Sequence, residues 1–195
     1  MWEYFQAGGP LMWALLACSI VAVAVLLERF WFWSRLGLKK DESRAAELMG
    51  NAESGAVIAP AGGGPVTAML AAGFAVPPAE CGKAMEVVVL EEIVRMRRGM
   101  SLLDTIITAA PMLGIMGTVL GIISSFDMLG QAGVSDPKAV IAGIAQALIT
   151  TATGLGIAVI TIFPYNYFNS RIDQAQDIFE AYGTRLELLR PGAKE

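Results

Sequence analysis

The sequence predicts an all-α membrane protein with three transmembrane helices and long helical extensions on the cytoplasmic side. Of its 195 residues 55% are apolar and 16% charged, and the mean hydropathy is +0.56, outside the usual range of soluble domains of this size. Three stretches carry no charge: Leu11 to Leu27, Thr105 to Phe126 and Ala139 to Ser170. As a helix, an uncharged run of about 20 residues crosses a hydrocarbon core of about 30 Å.

The first span, in residues 1–33, reads as a permanent anchor. A cleaved signal peptide is the alternative. However, no Lys or Arg precedes the run, and Glu28, Arg29 and aromatics follow it where a small-residue cleavage site would stand. Phe30, Trp31, Phe32 and Trp33 read as an interfacial belt, or else as aromatics packed under a soluble domain.

Residues 34–100 form the largest segment between spans. Leu38 to Met49, with Asp41, Glu42, Arg44 and Glu47, predicts a short polar helix, and the Gly, Ala and Pro of Asn51 to Pro65 predict a flexible connection. Pro65 suits the first position of a further helix, which Pro77 and Pro78 stop. From Ala79 the pattern predicts helix without a break into the second span, with Met85, Val88, Glu92 and Met96 on one face and Val87, Leu90 and Val94 on another. Arg95, Arg97 and Arg98 are either a topogenic cluster or a set of contacts to phosphate headgroups.

The second span, in residues 101–128, reads TIITAAPMLGIMGTVLGIISSF, an uncharged run whose interior is Gly, Thr and Ser rather than Leu and Ile. Gly114, Thr118, Gly121 and Ser125 fall at i, i+4, i+7 and i+11 on one face, and Gly117 adds a small-xxx-small spacing with Gly121. Small residues let backbones approach closely in lipid, where the hydrophobic drive for association is weak.

A short loop, 129–138, leads to the third span, 139–170, whose 32 residues make a helix of roughly 48 Å that must tilt or project. Gly143, Ala147, Thr150, Gly154 and Ala158 repeat the small stripe, with Gln146, Thr150 and Thr153 on an overlapping face and Thr151 beside them. An amide in hydrocarbon is costly without a partner, so Gln146 faces either protein, as glue between helices, or an aqueous path. Pro164 is expected to interrupt or kink the run. In 171–195, Ile172, Phe179, Tyr182 and Leu186 among charges predict an amphipathic helix.

Basic residues set the orientation, since segments rich in Lys and Arg stay cytoplasmic. The N-terminus has none and the 129–138 loop has only Lys138. Arg35, Lys39, Lys40, Arg44, Lys83, Arg95, Arg97 and Arg98 lie between spans one and two, and Arg171, Arg185, Arg190 and Lys194 lie in the tail. The N-terminus is thus predicted outside and the C-terminus inside.

The absences narrow the chemistry. There is no His, no glycine-rich phosphate loop, and no carboxylate or Lys in the middle of a span. Serine–histidine catalysis and His-containing metal sites are excluded, and no cofactor or metal is expected. The net charge of −4 gives no reason for nucleic acid, and Cys18 and Cys81 are expected as free thiols. A chain that moved protons alone would carry an intramembrane titratable group, so any acid must come from another subunit.

Pro10, Ser19 and Glu28-Arg29, the run TIITAAPMLGIMGTVLGIISSF, and the run GIAQALITTATGLGIAV with the later YNYF together resemble the ExbB/TolQ/MotA proton-channel family, closest to its three-span ExbB and TolQ branch. The resemblance implies a non-enzymatic motor subunit of a bacterial inner membrane. It implies a pentamer whose second and third spans line a central pore around a dimer of single-span ExbD- or TolR-like partners that supply an intramembrane Asp. Ion flow would then drive work passed to the outer membrane. Matched motif by motif, the pore threonines fall on Thr118 and Thr151, and Gln146 and Thr150 are assigned to the pore lining with them. Pro111, Gly114, Gly117, Gly121, Gly143 and Gly154 are assigned to helix geometry and packing.

Two departures stand out. Gln146 replaces a Glu common in the family, and the family's third-span proline is absent at Ile160, with Pro164 one turn later. A non-conducting membrane scaffold built on the same small residues is the competing class. A flagellar-type stator subunit would predict a fourth span and a larger charged cytoplasmic domain. The process served, and H⁺ against Na⁺, stay open.

Overall fold

The computed structural model describes residues 5, 8–54, 63–132 and 137–190, with backbone alone for 128–132 and 137–140. Its elements are α1 (Leu11–Leu36), α2 (Leu38–Glu53), α3 (Pro65–Ala75), a 3-10 turn (Pro78–Glu80), α4 (Cys81–Arg97), α5 (Met100–Ala132) and α6 (Pro137–Leu189). No strand occurs among the described residues. Three helices, carried by α1, α5 and α6, are long and apolar enough to cross a membrane. The expected flexible connection falls largely on residues 55–62, outside the described residues; of the expected 129–138 loop only 133–136 lie outside them, and 129–132 and 137–138 are instead the ends of α5 and α6.

The chain divides into two compact units. The first comprises Met1–Glu28 and Gly99–Tyr167. Here α1 buries a narrow stripe, Met12, Leu15 and Ala22, while α5 buries Leu103, Ile106 and Ala110 and α6 buries Ala147, Thr150, Ala158 and Thr161. Around that core the outer faces carry Trp13, Ile20, Val23 and Leu27 on α1, Met112, Ile115, Val119 and Ile123 on α5, and Ile141, Leu148, Val159 and Phe163 on α6, all exposed. So continuous an apolar surface suits lipid rather than water. Pro111 and Pro164 both lie inside unbroken helices. The expected interruption at Pro164 does not occur, because spanning helices accommodate a missing N–H through local adjustment and neighbouring groups.

The second unit comprises Arg29–Arg98 and Phe168–Glu195. Its core joins Leu38, Ala45 and Met49 of α2, Val66, Met69 and Leu70 of α3, Met85 and Met96 of α4, and Phe168, Ile172, Ala175, Phe179 and Leu186 of α6. The polar-looking α2 is therefore amphipathic, and it runs to Glu53, beyond the expected end at Met49. Gly37, at φ 56°, makes the left-handed link from α1 to α2 that a side chain would oppose.

Charged residues hold helix ends in this unit, and two of them, Asp41 and Arg29, do not stand out in the sequence. Asp41 is buried, and its carboxylate accepts from the Gly64 N–H at 2.8 Å, the Val66 N–H at 2.7 Å and the Thr67 hydroxyl at 2.7 Å. It caps the start of α3 from 23 residues away in sequence, where the free N–H groups and the helix dipole both favour an anion. Arg29 is 1% exposed and donates to the carbonyls of Arg95 and Met96 at 3.1 and 3.2 Å, at the C-terminal end of α4. A cation there complements the dipole in the same way.

The expectation of unbroken helix from Ala79 into the second span is overturned. After α4 the backbone turns extended at Arg98 (ψ 131°) and left-handed at Gly99 (φ 77°), and α5 starts afresh at Met100. The apolar periodicity runs straight through this point and conceals it. The aromatic belt also divides: Phe30 and Trp31 are exposed, whereas Arg29 sits over the Phe32 ring at 4.9 Å and Arg171 over the Trp33 ring at 5.6 Å.

Cys18 and Cys81 are free thiols. Burial pushes the Cys81 thiol up, with the Arg190 charge opposing and Glu187 adding. Two outcomes follow. Asp41→Ala lowers stability by about 2 kcal/mol, the scale of a lost cap with charge-assisted hydrogen bonds, read as a lower melting midpoint of the detergent-purified protein. Cys81 in the folded protein reacts slowly with maleimide at neutral pH and faster only above the ordinary thiol range of about 8.5, because the thiolate is the reactive form.

Candidate functional site

The α5 and α6 helices of the first unit meet along their small residues so closely that the backbones touch. A β-carbon on Gly154 would strike the Ala110 carbonyl and lie 3.2 Å from the Gly114 α-carbon. On Gly114 it would lie 3.1 Å from the Thr151 α-carbon, and on Gly121 it would lie 2.8 Å from the Gly143 carbonyl. Gly143 has the Ser125 hydroxyl over it, and Gly117 accommodates the Thr150 side chain, 2.6 Å from where a β-carbon would stand. The numbering rises on one helix as it falls on the other, so the pair is antiparallel.

The seam has two edges. On one, Thr150 is fully buried and its hydroxyl lies 2.5 Å from the Gln146 carbonyl and 3.4 Å from that of Gly8. The Gln146 side chain, half-buried, packs onto Gly9. On the other edge the Thr151 hydroxyl crosses to the Gly114 carbonyl at 2.8 Å, and Thr118, half-buried, donates to the Ile115 carbonyl at 2.6 Å. Thr118 also lines an apolar cleft of about 370 Å³ with Ile122, Phe126, Ile144, Ala147 and Leu148. Thr151 lies one helical turn from Ala147 and Leu148, and Gly114 one turn before Thr118. The structure thus brings Thr118 and Thr151 to one edge and places Thr150 and Gln146 toward the N-terminal segment.

Hydroxyl direction follows from these bonds, since a carbonyl oxygen only accepts. Thr118 and Thr151 spend their protons on backbone carbonyls, and each oxygen keeps lone pairs that can only accept. Thr105 does the same to Ser101 at 2.9 Å, and Thr108 to Thr105 at 3.0 Å. The edge therefore accepts hydrogen bonds, or solvates a cation, without carrying a charge. No group of three or more Cys, Asp or Glu placed to hold a metal ion occurs among the described residues.

A family-wide sequence model, described as the MotA/TolQ/ExbB proton channel family, matches residues 64–181, well over half of the chain. The chain belongs to this family. Similar proteins include the biopolymer transport protein ExbB-like 1 of Synechocystis, 35% identical over 96% of this chain and 78% of that protein. The ExbB homolog of Methanothermobacter thermautotrophicus is 32% identical over 91% of this chain and 66% of its own length. The Tol-Pal system protein TolQ of Pseudomonas aeruginosa is 36% identical over 46% and 38%. The family is one of channels rather than enzymes, and the matched stretch contains the whole glycine seam together with Thr118 and Thr151.

The seam predicts opposite outcomes for one substitution at two glycines of the matched stretch. Gly121→Ala presses on backbone and costs about 1–3 kcal/mol. Gly156→Ala meets nothing within 4 Å and stabilises the helix by up to about 1 kcal/mol. Thermal melts of the two purified variants check the contrast.

Proposed function

We propose that this chain is the channel subunit of an inner-membrane complex that uses the proton or sodium motive force to energise work at the cell envelope. The observation that carries the reading is the seam edge that holds the two half-buried hydroxyls of Thr118 and Thr151, each bonded to a backbone carbonyl, with Thr118 lining an apolar cleft. The middle of each span carries no titratable group, so a partner brings the one that takes up and releases the proton. An ExbD- or TolR-like dimer of single-span subunits with an intramembrane Asp supplies it, enclosed by five copies of this chain. The apolar cleft and exposed aliphatic faces of α5 and α6 suit such helices.

The proposed topology places the N-terminus and 129–138 in the periplasm, spans at 11–27, 101–128 and 139–170, and 34–100 and 171–195 in the cytoplasm. With Gln at position 146, no titration there contributes to the ion path. Pro111 and the glycines Gly114, Gly117, Gly121, Gly143 and Gly154 act by fixing helix geometry.

Thr118→Val tests the reading, since it keeps the shape and removes the oxygen. The variant is expected to assemble, and to co-purify with a small single-span partner from detergent-solubilised membranes, while losing ion flux tenfold or more. A variant that assembles and conducts normally takes the Thr118 oxygen out of the path, whereas a stable homo-oligomer with neither partner nor ion flux favours a structural scaffold.

A further inference from the structure

On the side turned away from the core of the second unit, α4 carries an apolar stripe. Val87, Leu90 and Val94 are exposed there and fall within an arc of about 60°. Arg97 and Arg98, exposed at the C-terminal end of the helix, flank that arc, and Lys83, Glu86 and Glu91 make the rest of its rim. Hydrocarbon does not cover the stripe, because Arg95, Arg97 and Arg98 stand between it and the second span. An ordered row of aliphatics with a charged rim, set against water, is the pattern of a protein interface.

The part of α6 in this unit presents the opposite sign. Asp173, Asp177, Glu180 and Thr184 are exposed within an arc of about 60°, with Ala181 beside them. No ion pair among the described residues holds Arg97, Arg98, Asp173 or Asp177. The two helices run antiparallel within the unit: the Glu187 carboxylate lies over Gly82, and Met85 and Leu186 meet over Gly73. Counting equally along both helices from these pairs sets Leu90 level with Glu180 and Arg97 level with Asp173.

Copies inserted in one membrane with one topology are related by rotation about its normal, so each residue keeps its depth from copy to copy. If α4 met its own counterpart, Arg97 and Arg98 would face the same cations. If it met α6, they would face Asp173 and Asp177. We propose that the α4 stripe of one copy docks on the acidic face of α6 of the next, with Arg97 and Arg98 meeting Asp173 and Asp177, and Val87 and Leu90 packing over Ala181 and Thr184. The contact is heterologous, so every copy offers both faces and repetition closes a ring. This rests on the proposed homo-oligomer and adds to it which cytoplasmic faces meet.

Disulfide trapping in membranes tests this on the full chain with its bound partner, with Cys18 and Cys81 replaced by Ser. Oxidation of Leu90→Cys combined with Glu180→Cys is expected to give a ladder of linked multimers on a non-reducing gel. Either cysteine alone, or Leu90→Cys with Leu188→Cys about 13 Å off level, is expected to give none. In the Leu90→Cys, Glu180→Cys background, Arg97→Asp with Arg98→Asp should lower the ladder about tenfold at low salt, because carboxylates then face carboxylates. Adding Asp173→Arg and Asp177→Arg to the same chain should restore it. Native mass spectrometry of the extracted protein separates the two readings. An oligomer that forms no ladder, or a ladder indifferent to the charge reversal, overturns the docking and leaves the homo-oligomer standing. A Leu90→Cys cross-link to a smaller chain assigns the stripe to the partner subunit and overturns the docking as well. A monomer overturns both.

Discussion

Close approach of the α5 and α6 backbones is the constraint on which the first unit depends. In lipid, apolar side chains gain little by leaving one apolar medium for another, so contact between helices relies on packing and hydrogen bonds. Gly121 against Gly143, and Gly154 against the Ala110 carbonyl, remove the side chains that would hold the helices apart. That proximity puts the Gly114 carbonyl within reach of the Thr151 hydroxyl. The threonine bond is thus a product of the glycines.

The second unit solves a different problem. Its helices are short, and each end leaves backbone groups without partners. Distant charges complete them: Asp41 at the start of α3, Arg29 at the end of α4, and Arg190, which donates to the Gly73 carbonyl at 2.7 Å near the end of α3. The sign at each end matches the helix dipole. These capping charges connect segments far apart in sequence, which side chains of the Met-rich core, being adaptable, specify less sharply.

The three long apolar helices were legible because length and lack of charge are local properties of Leu11 to Leu27, Thr105 to Phe126 and Ala139 to Ser170. The spacing of Gly114, Gly121 and Gly154 announced a packing face, although not that the face closes within one chain. Position-by-position reading missed Asp41 and Arg29, because an acid in a polar helix and a base after a span look like surface charges. Only the fold brings each to a helix end. A Gly after three basic residues was a signal for the break at Gly99, obscured by continuous apolar periodicity. Thr150 and Thr151 are adjacent in sequence yet face opposite edges of the seam, since neighbours on a helix are turned by about 100°. That separation needed coordinates.

The hydroxyls of α5 and α6 have a consequence beyond packing. Each proton donated to a backbone carbonyl is engaged within the helix pair, so the Thr118 and Thr151 oxygens have electron pairs alone to offer any further group. A neutral carboxylic acid can offer such a surface its own proton, whereas its conjugate base meets only repulsion between lone pairs. Two threonines paired in this way favour a hydrogen-bond donor over an anion beside them, and do so with no charge of their own to neutralise.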